Sequence, residues 1–139
     1  MKMVNFALSV VAAMLLLMSF FTFGPLVESK FFPVYSKFRI IEAEDSPQGA
    51  RAIFEFNKYR NCDPQGFAFY NGELGQAFHH VMVNVENTSP GSRLRPLGPQ
   101  LTSVYNLRNV TVDDLKSSVF AEIYSRCHPL WITRTKIYP

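Results

Sequence analysis

The sequence predicts a mainly β protein: an N-terminal transmembrane helix followed by a single antiparallel β-sandwich of immunoglobulin-like architecture. Three observations predict it. Residues 4–23 carry no charge and are almost wholly apolar. From Val34 onward, apolar and polar residues alternate in short runs rich in β-branched and aromatic side chains. Turn signals interrupt those runs every ten to fifteen residues or so.

With 139 residues the chain holds one domain. It is 47% hydrophobic and 14% aromatic, a composition that buries a core and excludes general disorder. The net charge of +3 carries little information. Without Lys2, thirteen basic residues face eleven acidic ones, and no run of one sign occurs. A clustered basic face is what nucleic acid requires, so a nucleic-acid partner is not expected.

Val4–Phe23 is twenty residues long, about 30 Å as a helix, which matches the hydrocarbon core of a bilayer. A cleaved signal peptide has a shorter apolar core and a small-residue cleavage site. Here the core is longer, and Pro25 spoils cleavage after Gly24, which favours an uncleaved anchor over residues 1–27. Gly24-Pro25 is expected to stop the helix. Residues 28–33 then read as a juxtamembrane link, and 34–139 as the sandwich. Phe31, Phe32 and Tyr35 suit either the membrane interface or the start of the folded domain. Lys30, Lys37 and Arg39 after the span place the domain inside by the positive-inside count, whereas the cysteines favour export. Export of the domain is the preferred reading.

The strand pattern follows in order. Val34, Phe38 and Ile40 share one face, as do Ala52, Phe54 and Phe56. Val81, Val83 and Val85 point inward, with Met82, Asn84 and Glu86 outward. Val119, Ala121, Ile123 and Cys127 form the inner face of the last long run but one, and Trp131–Ile137 alternates again. Residues 44–49 read as a turn, and Asn71-Gly72 as a hairpin turn into a strand beginning near Gly75–Gln76. Residues 89–99 hold three prolines and two glycines and read as a crossover loop. Thr111 three residues before Asp114 is a capping-box pattern, predicting one short helical turn.

The chain has two cysteines, Cys62 and Cys127, with one possible intrachain pairing. The bond is expected to tie the two sheets together, and it closes a loop of about 66 residues, worth roughly 4 kcal/mol in the chain-entropy model. Two buried free thiols are the alternative. A zinc site needs about four ligands, and His79 and His80 alternate to opposite faces of a strand, so no metal or other cofactor is expected. A thiol nucleophile needs a base and an orienting group, and His128 next to Cys127 diverges from it. No carboxylate pair, phosphate loop or nucleophile elbow is present, so neither catalytic residues nor a small-molecule substrate are inferred. Trp131 is expected to pack beside the disulfide and close the core.

Phe78, Met82, Phe120 and Tyr124 fall opposite the predicted core face. They form either an exposed apolar stripe for a partner or a second covered face. Arg93 and Arg95, in the 89–99 loop, are candidates for the same partner surface.

The segments YRNCDPQGFAFY, around Cys62, and RCHPLW-TRT--YP, from Arg126 to Pro139, together with the N-terminal span, carry a resemblance. The chain resembles small uncharacterised membrane-anchored proteins of bacterial phages and prophages. The resemblance implies a bacterial inner membrane and an oxidising periplasm, and it implies no activity. The expected function is therefore non-enzymatic: an exported, membrane-anchored interaction module, with the lipid bilayer and another envelope protein as partners. The alternative is a small accessory subunit that joins a membrane assembly through its span, where Ala7, Ser9, Ala12 and Ala13 permit close helix packing.

Overall fold

The structure, a computed structural model, describes residues 2–72, 77–86 and 95–139. It opens with α1 (Lys2–Phe31), followed by β1 (Arg39–Ser46), β2 (Gly49–Lys58), β3 (Asp63–Asn71), β4 (His79–Val81), β5 (Val83–Val85), β6 (Gly98–Leu101), β7 (Tyr105–Arg108), α2 (Val112–Ser117), β8 (Val119–His128) and β9 (Trp131–Tyr138).

The strands form two antiparallel sheets. One has the order β1-β2-β7-β5, with β6 lying beyond β7 along the same edge of β2. The other has the order β4-β3-β8-β9. Counted along the chain, these are the A-B-E-D and C′-C-F-G orders of an immunoglobulin-like sandwich, with β6 as an addition. The chain changes sheet at Met82, between β4 and β5.

Period-two alternation places the core as expected. Val34, Phe38, Ala52, Phe54 and Phe56 are all buried, and so are Val119, Ala121 and Ile123. Phe54 of β2 meets Phe69 of β3 with ring centroids 5.9 Å apart, which pins sheet to sheet. Phe38 stacks on Phe56 at 4.6 Å. Tyr35 is buried against Phe56, whereas Phe31 and Phe32 stay exposed. The β1–β2 hairpin turns at Pro47-Gln48. Gly49 then has φ +143°, and a Cβ there would lie 1.9 Å from the Leu107 carbonyl, so only glycine fits. Thr111 caps α2 through a capping box with Asp114, which sets Leu115 into the core.

Four expectations need correction. Gly24-Pro25 does not end the helix: Pro25 lies inside α1, which runs on to Phe31. Pro25 forfeits only its own bond to the Phe21 carbonyl, and the turns beyond it are held by the sandwich. Residues 28–31 are therefore helix, and Glu28 is buried. Asn71-Gly72 does not make a two-residue turn. Asn71 pairs with His79, so β3 and β4 are joined through 72–78, and the strand start expected near Gly75–Gln76 lies outside the described residues. The disulfide does not tie the two sheets together. Cys62, just before β3, bonds Cys127 of β8, and these strands are neighbours in one sheet. Finally, the loop read over 89–99 ends in a strand, since Gly98 and Pro99 open β6. Because β6 pairs only with β2, proline is tolerated there. Residues 89–94 lie outside the described residues.

Candidate functional site

The most elaborate polar cluster among the described residues joins α1 to the sandwich. Glu28 is the first acidic residue in the chain, five positions past the apolar segment. It is 8% exposed. Its Oε2 accepts the Thr133 hydroxyl at 2.7 Å, the Trp131 indole N–H at 2.8 Å and the His128 Nε2–H at 3.1 Å. Its Oε1 accepts Arg60 Nη1 at 3.0 Å. Arg60 Nη1 also reaches the Phe32 carbonyl at 2.9 Å, which closes the end of the helix. A buried carboxylate is costly unless its lone pairs are filled, and here they are.

Each donor is placed by a nearby structural device. The β8–β9 hairpin sets Trp131 opposite His128, and β9 carries Thr133 two residues on, on the same face. The Leu130 N–H donates to His128 Nδ1 at 3.3 Å, so the ring takes the tautomer with its proton on Nε2, facing Glu28. The disulfide sits directly behind these groups. It holds Cys62, two residues from Arg60, against Cys127, the neighbour of His128, with Cα atoms 4.4 Å apart. Lys58, 2% exposed, donates to Asn61 Oδ1 and to the Arg95 carbonyl, fixing the approach to Cys62.

Trp131 is displaced from the expected role. It is half-buried, lies outside the core and packs on α1. Its ring stands edge-on to Phe20 at 5.2 Å and to Phe21 at 6.3 Å. Gly24 makes room for it, since a Cβ at 24 would lie 2.7 Å from Trp131 Cη2. Phe20, Gly24 and Glu28 recur every four residues and form one helix face.

The expected partner surface is reorganised. On the outer face of the second sheet, Tyr70 stacks on Phe120 at 5.1 Å, and Phe78 stands edge-on to both, at 5.2 and 5.6 Å. Phe78 is 50% exposed, but Phe120 is only 6% exposed, so Phe120 is a floor and not a contact surface. Beside them the buried Glu122 accepts Arg134 Nη2 at 2.7 Å and the Tyr124 hydroxyl at 3.5 Å. Tyr124 is half-buried, and its phenol is pushed up to about 12 by its hydrogen bond with Tyr70, then by burial and the Glu122 charge. Met82 stands apart, exposed at the crossover between sheets. Arg95 belongs to the other sheet, where its guanidinium lies over Phe56 and it donates to the Leu101 carbonyl. Arg93 lies outside the described residues.

Cysteine chemistry has no free thiol to use, because both cysteines are bonded. His128 is committed to Glu28 and Leu130, while His79 and His80 are exposed on the edge strand β4. Compared with known protein families, with curated proteins and with solved structures, the chain matches none.

Proposed function

We propose that the chain is a membrane-anchored interaction module whose β-sandwich is exported and presents the face around Phe78 to another envelope protein. The phage and prophage resemblance supplies the setting, a bacterial inner membrane with the domain in the periplasm. On this reading the protein catalyses no reaction. The observation that carries it is the lock at Glu28. A helix with four donors closing on its one buried carboxylate is fixed to the domain, not tethered, so the Phe78 face keeps one orientation to the bilayer. The disulfide supports export, since such bonds persist in oxidising compartments.

The test is a photo-crosslinking amino acid at Phe78, compared with one at Glu42 on the other sheet, in intact cells and in protease-treated spheroplasts. A discrete adduct from position 78 alone, with the domain shaved by protease, is expected. Equal labelling from both positions, or a domain protected from protease, sinks the proposal.

A second reading has its own observation. Residues 4–19 of α1 are exposed and include Ala7, Ser9, Ala12 and Ala13. An accessory subunit that binds through its span would use this surface. Replacing residues 4–19 with an unrelated apolar helix abolishes assembly on this reading and leaves it intact on the first.

A further inference from the structure

The span and the sandwich are fixed relative to each other, so the position of the bilayer along α1 also sets which part of the sandwich meets it. Starting at Val4, twenty residues of helix cross about 30 Å and reach the far edge of the hydrocarbon near Phe23. The Trp131 ring touches Phe20, Phe21 and Gly24, so it stands at that edge. Trp131 meets α1 with its ring at residues 20–24 and its N–H at Glu28, while Thr133, two residues on, meets it at Glu28. Strand and helix therefore climb away from the membrane together. On that course the turn before Trp131, Pro129-Leu130, falls on the lipid side.

The chemistry of this tip fits lipid. Leu130 is 54% exposed and Ile132 is 41% exposed, and neither is covered by the sandwich. Tryptophan favours the interface, where its ring is in apolar surroundings and its N–H finds a polar partner, here Glu28. Arg126 to Lys136 contains Arg126, Arg134 and Lys136 and no acidic residue, and the two carboxylates bonded to this stretch, Glu28 and Glu122, are buried, so little negative charge faces anionic headgroups here.

We propose that the β8–β9 tip, Pro129–Ile132, is a second membrane-contact site that sinks into the headgroup–acyl boundary beside the point where α1 emerges. The inference rests on α1 spanning the bilayer. The single helix is then joined by a wedge that fixes tilt and rotation of the domain on the surface.

Trp131 is the only tryptophan, so the full-length protein carries its own probe. The experiment reconstitutes the chain in vesicles of phosphatidylcholine and phosphatidylglycerol with lipids brominated near the headgroup. Emission is read from native Trp131, from L130W in a W131F background, and from F20W in the same background. Loss of emission from positions 130 and 131, reversed at 131 by the pair L130D and I132D, is the expected result. Quenching at position 20 with none at 130 overturns the contact site while leaving the span in place. Absence of quenching at all three positions means that the span reading itself has failed. Position 130 shielded from both bromolipid and aqueous acrylamide means that protein covers the tip, which also overturns the proposal.

Discussion

Thr133 donates its hydroxyl to the Glu28 carboxylate at 2.7 Å, across 105 positions of sequence. The bond joins the end of the long apolar helix to the interior of the last strand. It makes helix and sandwich one object, and Glu28→Gln tests it. An amide has one acceptor oxygen and turns its NH2 toward donors already present. The expected cost is about 1–3 kcal/mol, read as a lower Tm of the detergent-solubilised protein. An unchanged Tm removes the lock from the account.

Cys62 and Cys127 close behind Arg60 and His128, two of the donors to Glu28. The double substitution C62A and C127A is expected to cost about 4 kcal/mol by the loop-entropy argument. It also loosens the helix, so protease cleaves near Phe31–Phe32 earlier than in the parent. A variant with the parent's chemical denaturation midpoint contradicts the assignment.

Gly24 leaves room for one ring. Gly24→Leu drives side-chain atoms into Trp131, whose Cη2 is already 2.7 Å from where a Cβ falls. The indole is expected to leave the helix and lose its bond to Glu28, with Trp131 emission shifting to the red. An unshifted spectrum shows that the ring does not pack there.

Phe120 and Phe78 share one aromatic cluster but differ in burial. Phe120→Ala is expected to destabilise by about 3 kcal/mol as a core truncation. Phe78→Ala is expected to cost well under half of that, because the side chain is half-exposed. Equal losses in urea unfolding count against Phe78 as a presenting residue.

Tyr124 gives the outer face a pH signature. Its phenol titrates at about 12 when folded, against 10.0 for the free group. A raised folded value means that this contribution to stability is complete below pH 10.0 and disappears as pH rises through about 12. Tyrosinate absorbance is expected to show Tyr124 titrating late, together with Tyr35, Tyr105 and Tyr138, which burial also raises, and Tyr70→Phe to bring the Tyr124 step earlier by removing its hydrogen-bond partner. An unchanged number of late phenols in that variant locates the effect elsewhere.

The sequence by itself determined the long apolar N-terminal helix, the sandwich class, the inner faces of β2 and β8, the cap at Thr111 and the cysteine pair. These are local signals: a run of apolar residues, a period of two, a capping spacing and a count of two. The helix beyond Pro25 was not legible, because proline's local cost is overridden by contacts with β9. The cluster at Glu28 had only one faint signal, a lone acid just past the apolar segment. Its donors come from residues 60, 128, 131 and 133, and no spacing rule relates them to residue 28. The same reason separates Trp131 from the core and Phe120 from the surface. Parity along a strand tells which residues share a face, and only the packing of other elements decides whether that face is covered.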